Sequence, residues 1–257
     1  MIINKVKLLL VFMLVCSPVW GAVDFDGTDD YLSITTMTVV STDFTVYCLA
    51  NVSITGSISM ALYGTNNNAV AGGRGFSFKV EQYNNTGFVG ITFGGVGDYV
   101  TAIAPPTTYA VYVARHDDSA NEIEIDVDQS NETIAVGEML IASIPTRRLI
   151  GAWRRATINS IADYTNGDIY ECAEWNVLLT DSEVSLLVNS KVKRMPLQIQ
   201  PANLTSYWAM DDVADGASAD AVTFLDMSGN ANTATGVDGA NNTGLTAVAE
   251  TVLSYTP

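Results

Sequence analysis

The 257-residue sequence has one histidine, His116, and three cysteines. Zinc centres, Ser-His-Asp triads and Cys-His dyads therefore have almost no raw material. Charge is scarce as well. Only 16% of residues are charged against 48% hydrophobic, which excludes a disordered chain, since disorder needs low hydrophobicity and high charge density. Positive charge is the scarcer sign. Twelve Lys and Arg face 28 Asp and Glu, a net charge of −16. A surface of that sign repels a phosphate backbone, so nucleic acid is not an expected partner. Phosphate-binding loops, dinucleotide fingerprints and metal-binding histidine motifs are missing. Long apolar runs are missing too, except at the start.

That first run reads as an address. Lys5 and Lys7 precede an unbroken apolar stretch from Leu8 to Cys16, then Ser17-Pro18-Val19-Trp20-Gly21. A basic region, a short apolar region and small residues before a cut site mark a secretory signal peptide over residues 1–21. Cleavage after Gly21 puts Val19 at −3, whereas cleavage after Ala22 would put bulky Trp20 there. The nine-residue run is too short to span a bilayer, so the mature chain is expected without a membrane span. The expected location is secreted, extracellular or cell-surface. The mature chain keeps ten basic and 28 acidic residues, a net of −18. Cys16 leaves with the signal. Cys48 and Cys172 remain, each in an apolar strand-like run. They form one disulfide, or each is a small buried hydrophobe; spacing does not decide between these.

Most of the mature chain reads as short strands between turn clusters. Phe44–Asn51, Ser57–Tyr63, Gly75–Val80, Phe88–Phe93, Tyr109–Ala114 and Glu122–Asp128 are rich in β-branched and aromatic residues, with Gly, Asn, Asp and Pro between them. Such spacing predicts an antiparallel sandwich or barrel. One helix is predicted over 181–189. Thr180 and Glu183 form a capping box, Leu179 and Val184 a hydrophobic staple, and Val184, Leu187 and Val188 share one face. Lys191-Val192-Lys193-Arg194 follows and is read as cations at a helix C-terminus. Residues 197–257 contain no Lys or Arg but keep Tyr207, Trp208, Phe224 and Leu225 as core anchors.

Several passages resemble the laminin-G-like and pentraxin-like branch of the concanavalin A-like jelly rolls. Phe25-Asp26-Gly27-Thr28-Asp29-Asp30-Tyr31-Leu32 is similar to its opening strand, and Asp43–Cys48 to its next core strand. Tyr109–Ala114, the turn His116–Ser119 and Glu122–Asp128 resemble its central hairpin. Gly167–Glu183 resembles its closing strand and short capped helix. The resemblance covers about residues 22–190. It implies an all-β, two-sheet antiparallel jelly-roll sandwich with one short helix near 181–189. The expected domains are a laminin-G-like unit at 22–195 and a C-terminal extension at 196–257. That extension is either packed on the sandwich or a truncated second copy, because Ser206–Asp212 resembles a segment usually found at the start of such a domain.

Three sites are candidates. Glu122, Glu124, Asp126 and Asp128 alternate with aliphatic residues, so period two puts all four carboxylates on one strand face. Glu124-Ile125-Asp126-Val127-Asp128 resembles the catalytic strand of jelly-roll β-glucanases, with Asp128 shorter than the usual Glu. The competing reading is a solvated polar face. The second candidate is calcium, the one cofactor expected. Asp226, Ser228, Asn230 and Asn232 place oxygens at alternate positions around a glycine, and Asp26, Asp29 and Asp30 form another cluster. The third is a saccharide site of Trp153, Arg154, Tyr164 and Asn166. Arg147-Arg148 and Arg154-Arg155 are read instead as internal ion pairs. The resulting expectation is a secreted, non-catalytic module that binds a glycan or a surface protein, assisted by calcium. A structural or adhesive subunit and a glycoside hydrolase acting through Glu124 are the alternatives. The oligomeric state is left open.

Overall fold

A computed structural model describes residues 21–35, 42–54, 59–66, 75–80, 87–93, 97–136, 147–155, 160–191, 193–239 and 244–249. Of the expected signal segment 1–21, residues 1–20 lie outside these residues. The strands are β1 (Gly21–Asp26), β2 (Tyr31–Ile34), β3 (Phe44–Val52), β4 (Met60–Asn66), β5 (Phe76–Val80), β6 (Gly90–Phe93), β7 (Gly97–Val100), β8 (Ala110–Asp117) and β9 (Glu122–Val127). They continue with β10 (Ser130–Ala135), β11 (Arg147–Ile150), β12 (Trp153–Arg155), β13 (Ser160–Ala162) and β14 (Asn166–Trp175). Helix α1 (Asp181–Ser190) comes next, then β15 (Leu204–Trp208), β16 (Thr223–Phe224), β17 (Ala234–Val237) and β18 (Thr246–Ala249).

These strands form two antiparallel sheets of a jelly-roll sandwich. The first runs β10-β9-β8-β3-β14-β1-β18, with β15 also on β14; the second runs β16-β17-β2-β11-β4-β5-β6-β7. A short β12–β13 hairpin stands apart. Between the sheets lies the main core, built by inward residues such as Phe25, Leu32, Phe44, Val46, Leu62, Phe78, Ile91, Ile125 and Trp208. The first sheet is buried on its other face too. Tyr47, Leu49, Val111, Val113, Ala173 and Trp175 form a second core with Val184, Leu187 and Val188 of α1. This explains why β3 is an almost continuous apolar run: both of its faces are covered.

Helix α1 begins and ends for local reasons. Thr180 caps the Glu183 N–H, and the Glu183 carboxylate accepts the Thr180 N–H at 2.8 Å. Lys191 turns the chain into the left-handed region at φ 42°. The basic run after it does not decorate the helix end. Lys191 pairs with Asp128 at 2.9 Å, Arg194 pairs with Asp211 at 3.0 Å, and the buried Lys193 donates to the carbonyls of Gly21 and Ala209. Each cation goes to the nearest acceptor in the fold rather than to the helix dipole.

The segment after residue 195 completes both sheets. β15 joins β14, β17 extends the second sheet beside β2, and β18 lies along β1. Trp208 is fully buried, and its indole N–H donates to the Asn232 carbonyl at 2.8 Å. The segment thus supplies strands and core residues to the sandwich itself. Cys48 and Cys172 face each other across β3 and β14 and form a disulfide between residues 124 apart in sequence. Arg148 makes a two-pronged ion pair with Glu174, at 2.7 and 2.9 Å, with both side chains buried. Arg147 is only half-buried, and the side chains of Arg154 and Arg155 lie outside the described residues.

Candidate functional site

The first turn of the chain gathers three carboxylates. β1 ends at Asp26, and Gly27 reverses the backbone at φ 78°, a conformation costly for a residue with a Cβ. The Asp26 carboxylate accepts the Thr28 N–H at 2.7 Å, and the Asp26 N–H donates to Asp30 Oδ2 at 2.9 Å. Asp26, Asp29 and Asp30 each bring an oxygen within 4.8 Å of the others. Asp30 is fully buried, yet its Oδ1 has no hydrogen-bond partner among the described residues. Burial pushes the Asp30 carboxyl up to about 7; the Asp26 N–H opposes this, and the charges of Asp26, Asp238 and Asp29 add to it.

A distant segment closes over this turn. A Cβ on Gly239 would sit 2.4 Å from Asp29 Oδ2, and one on Gly244 would sit 2.4 Å from Asp30 Oδ2. Both positions therefore hold backbone against carboxylate. Asp238 arrives with them, and its Oδ1 is likewise buried without a partner among the described residues. Asn166 and Asp26 are register partners in β14 and β1. Burial, Tyr31 and Asp29 all raise the hydroxyl pKa of Tyr164, which stands beside the turn. Calcium takes six to eight oxygens at about 2.3–2.6 Å, so oxygens on opposite sides of one ion are about 5 Å apart. The carboxylate spacing fits that span, and the donor set is hard oxygen throughout.

The other expected calcium ligands have a different task. Asp226 Oδ1 accepts the N–H groups of Tyr207 and Ser228, and its Oδ2 accepts that of Asn232, all at 2.9 Å. Asn230 and Asn232 donate side-chain amides to the Thr205 carbonyl at 3.1 and 2.9 Å. Ser228 donates to the same carbonyl at 3.2 Å. In place of an open oxygen cage stands a clamp that ties loop 226–232 to β15. The alternation of polar residues that reads as a metal loop is equally the pattern of side chains bonding local backbone.

The carboxylate strand is also committed. Arg115 on β8 reaches Glu124 at 2.7 Å, Asp126 at 3.5 Å and Asp181 of α1 at 2.7 Å. Burial raises the Asp126 carboxyl to about 6, against the pull of Arg115. The alternation stops at Val127. Asp128 has φ 51°, accepts the Val111 N–H at 3.0 Å and pairs with Lys191, so it leaves the row that sequence spacing gave it.

Trp153 is buried rather than offered as a platform. It lies against Gly64, with the Lys79 ammonium 4.5 Å from its ring centre and Lys79 in turn paired with Asp163 at 3.0 Å. Tyr164 is half-buried and donates to the Ile161 carbonyl at 3.2 Å. The Arg154 side chain lies outside the described residues. Tyr164 and Asn166 thus stand beside the acidic turn. His116 is buried in β8, bonds the Thr42 carbonyl at 2.7 Å and stacks on Phe44. Asp238, Gly239 and Gly244 gave no signal in sequence, because only the tertiary fold brings them to the turn.

No protein-family model matches the sequence, and no curated protein matches it. Solved structures do. The CBM40 module of the Ruminococcus gnavus IT-sialidase matches with a TM-score of 0.53 at 13% identity, over 66% of this chain and 98% of that one. This chain shares that module's jelly-roll sandwich fold. A second structure of the same module contains α2,3-sialyllactose. A Bacteroides ovatus protein described as a candidate carbohydrate-binding protein matches with a TM-score of 0.63 at 14% identity, over 91% of this chain and 61% of that one. The native heptameric pentraxin of Limulus polyphemus matches with a TM-score of 0.52 at 14% identity, over 66% of this chain and 82% of that one. At such identities the likeness is one of fold.

Proposed function

We propose that the chain is an exported, non-catalytic glycan-binding module whose recognition is assisted by calcium at the Asp26–Asp29–Asp30 turn. The calcium part rests on Asp30, a fully buried carboxylate with an unpartnered oxygen beside two further carboxylates. A buried charge without a partner is costly, and a cation placed there offsets that cost. Asp26, Asp29 and Asp30, with Asp238, would hold the ion. The ion would organise the turn between β1 and β2. The glycan part is supported by the shared fold with carbohydrate-binding modules. A non-catalytic role is supported by Glu124 and Asp126, both tied to Arg115. Export is supported by the signal-like residues 1–21 and by the disulfide.

Thermal melting of the mature chain in calcium and in EDTA tests the reading, together with calorimetry against a glycan panel. An ion at 100 times its Kd adds about 2.7 kcal/mol, which raises Tm by roughly 5–10 °C for a domain of this size. Asp30→Asn is expected to lose that shift. Equal melting of the wild type in calcium and EDTA overturns the calcium part. No binding to any glycan, with or without calcium, overturns the recognition part.

A further inference from the structure

A groove runs between α1 and the β9–β10 hairpin on the outer side of the first sheet. It consists of two hollows of about 330 and 480 Å³ that share Asp128, Gln129, Val188 and Asn189. Its helical wall is a polar row. Asp181, Ser185 and Asn189 all line the groove and are spaced four apart, so they lie one above another on a single helix face, a row of about 12 Å. The hairpin wall opposite carries Asp126, Gln129 and Asn131. Aliphatic side chains also line it, Ile103 and Pro106 in one hollow and Val188 in both.

Two properties define what such a groove takes. The first is unused hydrogen-bonding capacity. Gln129, Ser185 and Asn189 are exposed and have no side-chain partner among the described residues. Each offers a donor and an acceptor, the pairing that a sugar hydroxyl needs. The second is charge. The two cations that border the groove are spent: Arg115 on Glu124, Asp126 and Asp181, and Lys191 on Asp128. Three lining carboxylates outnumber them. Among the described residues no cation there is left to receive an anionic group, and the carboxylates repel one.

Resting on the glycan-binding reading, we infer that this groove is the saccharide-contact site and that its ligand is a neutral oligosaccharide. Hydroxyls face the two polar walls, and the apolar face of a ring packs on the aliphatic side chains. The chain would thus differ in ligand charge from the sialyllactose-bound module that shares its fold.

The test is calorimetry on the mature chain in calcium, with a panel of neutral trisaccharides and with 3′-sialyllactose as the anionic counterpart. Gln129→Ala and Asn189→Ala serve as variants; both positions are exposed, so unchanged melting controls for folding. The expected result is binding of a neutral trisaccharide that weakens at least tenfold in each variant, with the calcium-dependent melting shift intact. Wild-type binding that survives both variants overturns the groove and leaves the glycan-binding reading standing. Preference for sialyllactose overturns the neutral ligand. A wild type that binds nothing in the panel overturns the inference together with the reading beneath it.

Discussion

Breaking the Cys48–Cys172 bridge is the perturbation whose size follows most directly from the fold. The two residues are 124 apart, and the strands that carry them, β3 and β14, sit in the middle of the first sheet. Cross-linking a loop of that length removes about 5 kcal/mol of conformational freedom from the unfolded chain in the loop-entropy account. Both sulfur positions are fully buried between the sheets. Truncation to Ala therefore adds a small packing loss to the lost cross-link. For a domain of this size about 5 kcal/mol corresponds to a Tm decrease of roughly 10–20 °C. The assay is calorimetric or urea unfolding of the wild type, oxidised and fully reduced, with thiol counting to verify reduction. Cys48→Ala, Cys172→Ala and the double variant are measured alongside. Each single variant already loses the whole cross-link, so the three should fall by similar amounts and ignore reductant. A reduced wild type that melts within about 3 °C of the oxidised form refutes the reasoning. So do single variants whose losses add up in the double.

Two further outcomes separate structural from metal-binding acids. Asp226→Ala removes the acceptor of three backbone N–H groups, and each group left without its carboxylate partner costs about 1 kcal/mol or more. The expected loss of about 3 kcal/mol should be the same in calcium and in EDTA, and a loss seen only in calcium would mark Asp226 as a metal ligand instead. Asp126 makes the pH prediction. Its carboxyl is raised to about 6 in the fold from 3.8, so between those values the native state binds more protons than the unfolded chain. Stability from this group is full below pH 4 and declines as pH rises towards 6. Asp126→Asn should flatten that part of the urea-derived stability curve, and parallel curves for the two proteins would show that the group does not titrate there.

Much of the fold was legible where a local rule and the tertiary fold agree. The capping box at Thr180 and Glu183 and the buried face of Val184, Leu187 and Val188 are read from nine consecutive residues, and the helix appears where they predict it. β9 shows the same agreement as far as Val127, with Ile123, Ile125 and Val127 in the core. At Asp128 the period-two rule fails, because the chain enters a positive-φ turn and the carboxylate bonds β8. Trp153 shows a second kind of failure. An aromatic among arginines reads as a binding platform, but the lack of a side chain on Gly64 leaves room for the ring against β4. The pairing of the C-terminal strands was not legible for a third reason. Their apolar anchors were visible, but pairing with β1, β2 and β14 joins residues about 30 to 225 positions apart, and no local pattern encodes such a pairing.

The scarcity of cations explains where the acidic turn gets its character. Lys79 is drawn to Asp163, Arg115 to Glu124 with Asp126 and Asp181, Arg148 to Glu174, Lys191 to Asp128 and Arg194 to Asp211. Several of these acids are buried, and an unpaired buried charge would cost several kcal/mol. The few cations are thus spent where the core and the helix dock require them. None of these pairs involves Asp26 or Asp30. Among the described residues, the paired cations serve interior acids and the helix dock rather than the first turn. The turn is left with clustered carboxylates that an external divalent ion can serve, and the groove beside α1 is left with carboxylates and amides but no uncommitted cation. The same shortage that makes nucleic acid an unexpected partner therefore shapes both proposed sites: one for a cation, the other for a neutral ligand.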